Sequence, residues 1–188
     1  MSPAVEHLCL ITGASSGIGA ALAREFARHG HPLVLTARRE AELAALAESI
    51  AVSGRPRPAV IAADIGSAEG IARLADEVRA RGFAVSILVN NAGFGLLGEA
   101  AALDLAQQLA MVDLNARALT DLTLRFLPDI TRQKGGILNV ASIAGFLPGP
   151  GMAVYHASKA FAVSFSEAMH QELKDDGVRV CEFGAWPQ

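Results

Sequence analysis

The 188-residue chain reads as an α/β domain built on a doubly wound parallel sheet with helices on both faces. Three observations predict this. Short aliphatic runs recur six times, from "LCLIT" (8–12) to "VRVCEF" (178–183), and longer segments with helical periodicity separate them. The runs are apolar throughout rather than alternating, as in strands covered on both faces. Strands that take turns with helices pair in parallel through right-handed crossovers.

The elements follow in order. The strand "LCLIT" leads into "TGASSGIG" (12–19), and in the helix behind it Ile18, Leu22, Ala23 and Phe26 share a face, with Gly30 as the stop. "PLVLT" (32–36) is the second strand; "EAELAALAESIA" is its helix, ended by the connection "SGRPRP". "AVIAAD" (59–64) precedes the helix "AEGIARLADEVRARG", which closes at Gly82. "VSILVN" (85–90) runs into "NNAG" (90–93) and a helical segment over 104–127. "ILNVAS" (137–142) is followed by the loop "GFLPGPGM", a helix over 153–173 and the sixth strand. With no fixed-period repeat and no linker, residues 1–188 form one domain.

Composition narrows the functional classes. A chain that is 52% hydrophobic and 19% charged folds around a core rather than staying disordered. A net charge of −3 argues against a general nucleic-acid or anionic-membrane surface. No apolar run approaches the roughly 18 residues of a membrane span. The start "MSPAVEHLCLITG" lacks a secretory leader pattern, so the expected location is cytoplasmic. Cys9 and Cys181 lie in apolar runs without CxxC spacing or a histidine cluster, which predicts buried free thiols and no metal site.

Three stretches carry chemistry. Glycines at a strand-to-helix turn let backbone approach a ligand, and a helix N-terminus offers free N–H groups to phosphate, so "TGASSGIG" is either a plain structural turn or a dinucleotide site. Its GxxxGxG spacing differs from the common GxGxxG pattern. In "TARRE", Ala37 stands where an acid would hold a ribose 2′-hydroxyl, and Arg38 and Arg39 follow. Arginine there suits a 2′-phosphate and favours NADP(H); the alternative is a solvated helix start. The third stretch, "VYHASKAF" (154–161), holds the only tyrosine, Tyr155, four residues from Lys159, one of three lysines. Residues four apart share a helix face, and an ammonium beside a phenol favours the phenolate.

"TGASSGIG", "NNAG", Ser142 and "YHASK" (155–159) occur together in an order and spacing that resemble the short-chain dehydrogenase/reductase family. The resemblance covers the chain up to about Val180. It implies a Rossmann-type sheet in order 3-2-1-4-5-6 and hydride transfer between NADP(H) and a small carbonyl or alcohol substrate. In that family's pattern Tyr155 is the general acid/base, Lys159 assists it and holds the nicotinamide ribose, and Ser142 polarises the carbonyl. Asn115 bends its helix and holds a water on the proton path; as residue chemistry alone it is equally a core amide satisfied by backbone. The cofactor side comprises Gly13, Ser15, Ser16, Gly17, Ile18 and Gly19, then Arg38 and Arg39. Asp64 and Ile65 stand at the adenine, and Asn90, Ala92 and Gly93 beside it. Phe146, Leu147 and Met152 either wall an apolar substrate pocket or pack under the next helix.

Segments 104–127 and 153–173 are apolar around much of their circumference, with Leu109, Leu119 and Leu122 in one and Phe161, Phe165 and Met169 in the other. The corresponding family helices pair across a two-fold axis, which implies a homodimer. The resemblance fails at the end. Family members continue into a Pro-Gly turn, a substrate-covering segment and a seventh strand, whereas here "GAWPQ" puts Ala185 and Trp186 at the Pro-Gly positions. That ending reads as a truncation or an altered frame. It leaves open a non-catalytic NADP-binding protein, because an uncovered site stays wet.

Overall fold

The structure, a computed structural model, describes residues 6–184; the expectation for Ala185 and Trp186 lies outside them. Six strands form one parallel sheet in the order β3-β2-β1-β4-β5-β6, as the resemblance implies. They are β1 (Glu6–Thr12), β2 (Leu33–Ala37), β3 (Ala59–Ala62), β4 (Phe83–Asn90), β5 (Gly136–Val140) and β6 (Arg179–Phe183). Helices α1 (Gly17–Arg28) and α2 (Glu40–Val52) pack on one face; α3 (Ala68–Ala80), α5 (Leu119–Arg132) and α6 (Ala153–Leu173) pack on the other.

The segment expected as one helix over 104–127 is α4 (Leu105–Val112), a π-helical turn (Asp113–Ala118) and α5 in unbroken succession. Asp104 caps its start by accepting from Gln107 N–H at 2.9 Å, as Ser67 caps α3 by accepting from Gly70 N–H at 3.0 Å. A π turn inserts one residue per turn and so re-aims the side chains around it.

Register sorts each strand's side chains into rows. Ala59, Val34, Leu10, Leu88, Ile137 and Val180 form one row under α3, α5 and α6, and it is buried from β2 through β6. The neighbouring row, on the α1–α2 face, is Val60, Leu35, Ile11, Val89, Leu138 and Cys181. It is fully buried at its centre, half-buried at Leu138 and exposed at Cys181. The expected burial of both thiols therefore holds only for Cys9, because no described helix covers the α1–α2 face over β6. Among the described residues no helix is long and apolar enough to cross a membrane, and no cluster of three potential metal ligands occurs.

Candidate active site

The carboxyl ends of β1, β4 and β5 open onto a cleft of about 1180 Å³, the position where parallel α/β sheets take ligands. Its first wall is the turn between β1 and α1. Gly13 has φ +64°, and a Cβ there would stand 2.8 Å from Ala92 Cα, so only glycine lets the turn lie against the end of β4. Asn91 staples that contact by donating from Nδ2 to Thr12 O (2.9 Å) and Gly13 O (3.2 Å). Thr12 Oγ1 donates to Val89 O and accepts from the N–H groups of Asn91 and Ala92. Ser16 makes no side-chain cap bond to α1, which leaves first-turn N–H groups available to an anion.

Arg39 reaches back over this turn, donating from Nη2 to Ser15 Oγ (3.0 Å) and Ser16 Oγ (2.9 Å). Its Nη1 lies 3.4 Å from Glu42. Arg38 lines the cleft beside it with no side-chain hydrogen bond or ion pair among the described residues. Asp64, just beyond β3, orients its carboxylate by accepting from Gly66 N–H at 3.0 Å, and the adjacent Ile65 is buried.

At the other end, Ser142 leaves β5 and opens a 3-10 turn (Ile143–Phe146), its Oγ accepting from Ala144 N–H at 3.2 Å. The hydroxyl hydrogen stays free to donate. Tyr155 and Lys159 occupy the first two turns of α6 on the cleft side, with Lys159 Nζ 5.9 Å from the Tyr155 ring centroid. Lys159 is buried and donates to Val140 O at 2.7 Å. Burial away from water holds its ammonium below the usual lysine value, which eases surrender of its proton. The Tyr155 ring lies against Gly95, where a Cβ would approach Cδ2 to 3.0 Å.

Asn115, in the π turn, grips the backbone that carries this wall. Its Oδ1 accepts from Phe94 N–H (3.1 Å), and its Nδ2 donates to Phe94 O (2.9 Å) and Ser158 Oγ (3.0 Å). A Cβ on Gly93 would meet Asn115 Oδ1 at 2.9 Å and Lys159 Nζ at 3.6 Å, so the three groups converge.

Fourteen of the seventeen residues that the family pattern places at catalysis or on the cofactor side line the cleft: Gly13, Ser15, Ser16, Gly17, Ile18, Arg38, Arg39, Asp64, Ile65, Ala92, Gly93, Ser142, Tyr155 and Lys159. Gly19, Asn90 and Asn115 do not. Gly19 packs beneath the turn against Gly13 O and the Asn91 amide. Asn90 belongs to the interior, because strand alternation turns it toward α5 and α6. There it donates to Thr123 Oγ1 (3.0 Å) and Asn139 Oδ1 (2.9 Å), and Asn139 continues the chain to Ser166 Oγ. Its neighbour Asn91 lines the cleft instead. Met152 and Ile143 also line it, whereas Phe146 and Leu147 stand exposed outside.

A left-handed glycine turn, unpaired N–H groups and an arginine pair beside them fit a dinucleotide carrying an extra phosphate. Fold and site together define the class of nicotinamide-dependent oxidoreductases on a Rossmann-type sheet. The family model for short chain dehydrogenase matches residues 7–184, and the chain belongs to that oxidoreductase family. It is 40% identical over 181 residues to sulfoacetaldehyde reductase 2 of Chromohalobacter salexigens, covering 95% of this chain and 71% of that protein. The structure resembles the bulky-bulky ketone specific alcohol dehydrogenase of Comamonas testosteroni, with TM-score 0.88 and 35% identity over 94% of this chain and 71% of that one. It also resembles a short-chain dehydrogenase from Sphingobium yanoikuyae in complex with NADPH, with TM-score 0.86 and 36% identity over 93% and 69% of the two chains.

Proposed function

We propose that the chain is an NADP(H)-dependent reductase of apolar ketones or aldehydes, or the reverse dehydrogenase, with Tyr155 as general acid/base. The observation that carries this reading is the arrangement of one cleft, with Arg38 and Arg39 at one end and Tyr155, Lys159 and Ser142 at the other. Arg38, Arg39, Ser15 and Ser16 would hold the 2′-phosphate, the Gly13–Gly17 turn the pyrophosphate, and Lys159 the nicotinamide ribose. When bound, NADPH supplies the hydride. The Tyr155 hydroxyl delivers a proton to the carbonyl oxygen, and Ser142 donates a hydrogen bond to the same atom as negative charge develops there. Lys159 has three hydrogens to donate, and only one meets Val140 O, so ribose and proton relay are both within its capacity.

Substrate polarity follows from the catalytic end. Phe94, Leu97, Ile143 and Met152 line it, and among the described residues the only lysine or arginine there is the buried, engaged Lys159. A sulfonate such as that of the Chromohalobacter enzyme's named substrate would lack a free cation, whereas a bulky ketone matches the apolar rim. Of the residues that suggested a homodimer from sequence, Leu119, Leu122 and Met169 are buried in the chain's own core. The dimer reading rests on exposed Leu109 and Phe161, joined by Val112 and Leu124, along α4, α5 and α6, with Phe161 stacked on Phe165 at 5.8 Å between centroids. Free Cys9 and Cys181 accord with a reducing, cytoplasmic setting. A second reading, binding without turnover, draws on the exposure of Ile143, Phe146 and Leu147 beside the substrate end.

One set of measurements separates the readings. NADPH should bind more tightly than NADH, and Arg38→Asp should reverse the order; equal affinities in the unaltered chain contradict the cofactor assignment. Tyr155→Phe should lower turnover of an aryl ketone by about 10²- to 10⁴-fold with NADPH affinity nearly unchanged. Tight NADPH binding without oxidation by any ketone or aldehyde would favour the second reading.

A further inference from the structure

We infer that Arg117 is a positioning residue that couples the adenine end of the cofactor cleft to the bent helix supporting its catalytic end; the inference rests on the dinucleotide reading above. Arg117 lies in the π turn two residues after Asn115. Its Nε donates to Asp113 Oδ1 at 2.8 Å, which fixes the plane of the guanidinium, and its Nη2 donates to Gly66 O at 2.6 Å. Gly66 stands between the Asp64 carboxylate and the cap of α3. Its N–H holds Asp64 Oδ1, and its carbonyl holds Arg117. The bonds therefore run Asp113–Arg117–Gly66–Asp64 from helix to cleft wall, where Asp64, Ile65, Gly66 and Ser67 face the ligand space.

The geometry explains why one short turn serves two ends of the cleft. Helix residues two apart do not share a face. Asn115 thus grips Phe94 beside Lys159, while Arg117 reaches the loop after β3. Eight of the nine arginine or histidine ion pairs among the described residues join groups three or four residues apart in one helix or its caps. Besides Arg117, two of those arginines also tie to another segment: Arg39 to the Ser15 and Ser16 hydroxyls, and Arg81 to Val60 O at 3.3 Å. Arg125–Asp121 is the nearest match to Arg117–Asp113: the same i,i+4 spacing, the same 2.8 Å Nε bond, and no bond from Arg125 to another segment. Arg117 differs from Arg125 in having a second, backbone acceptor 51 residues away, and from Arg81 in that its backbone bond, 2.6 Å against 3.3 Å, holds a residue of the cleft wall. Lysine could not meet both acceptors with a planar fork.

The test uses the full chain and two half-ligands, adenosine 2′,5′-bisphosphate and nicotinamide mononucleotide, titrated calorimetrically. Arg117→Ala should weaken the bisphosphate by about three- to tenfold, the range for losing a partly exposed charged hydrogen bond, with little change for the mononucleotide. Hydrogen exchange in ligand-free protein should quicken over residues 64–70. Arg125→Ala should change none of these, and Arg117→Lys should fall between wild type and Arg117→Ala. Unchanged exchange over 64–70 in Arg117→Ala, or an equal effect from Arg125→Ala, overturns the coupling. If Arg117→Ala does not fold, Asp113→Asn, which loosens the guanidinium without removing it, must still quicken exchange over 64–70, and no change there overturns the coupling as well. Wild-type protein that ignores the bisphosphate removes the dinucleotide reading and the inference with it, a result the exchange data keep distinct from failure of the tether.

Discussion

Two adjacent rows of side chains cross the same sheet and fare differently. The row through Leu10, Leu88, Ile137 and Val180 stays buried to the last strand because α5 and α6 lie over it. The row through Ile11, Val89, Leu138 and Cys181 is buried beneath α1 and α2 and emerges into solvent as it reaches β6. The glycine turn sits at the end of the covered part of that second row, clamped by Asn91, Thr12 and Arg39. At the β6 side of the cleft Phe183 is half exposed at 52%, and beside it, off the cleft, Glu182 Oε2 has no hydrogen-bond partner among the described residues. The glycine-turn end of the cleft is thus preorganised by packing, while Phe183 at its β6 end is left exposed.

The largest expected effect tests the rows directly. Leu88→Ala, at full burial, should destabilise by about 2–5 kcal/mol in denaturant unfolding, and Leu138→Ala by no more than about half as much. Equal losses would mean that the second row is covered at β5 after all. Thiol chemistry sharpens the same contrast. Burial pushes the Cys9 thiol far above the usual range, whereas Cys181 is exposed. A thiol-reactive dye should therefore label Cys181 within minutes and Cys9 only on unfolding. Fast labelling of both would contradict the burial of β1.

The smallest effect is one of pH. Burial, and then the charge of Glu167 on α6, raise the Glu182 carboxyl above its ordinary value, so the folded state favours its protonated form. Stability from this group is present below the unfolded value and lost as pH rises through the raised one. Glu182→Gln should raise the melting temperature at pH 7, and the advantage should shrink as pH falls through the carboxylate range. An advantage independent of pH would assign the effect to packing.

Much of this was legible in the sequence for physical reasons. Strand runs buried on both faces leave an unbroken apolar signature, so the six strands could be read directly, and the glycine turn and the Tyr155–Lys159 spacing are local patterns. What escaped reading depends on register and tertiary contact. Asn90 and Asn91 are the same residue type side by side, and only the end of β4 decides that the first turns into the core while the second staples the glycine turn. The π turn is hidden inside an ordinary helical pattern, and Arg117 looks like any arginine four residues after an aspartate. Cys181 reads as buried because its strand is apolar, but burial depends on what packs above it.

Isotope transfer is the most direct measure of hydride transfer in this cleft. The chain is incubated with a bulky aryl ketone and NADPH carrying deuterium at nicotinamide C4, and the alcohol product is analysed by mass spectrometry. Deuterium should appear on the carbinol carbon, with near-complete loss of labelled alcohol in Tyr155→Phe while NADPH still binds. Alcohol formed without deuterium, or formed equally well by the phenylalanine variant, would contradict this reading.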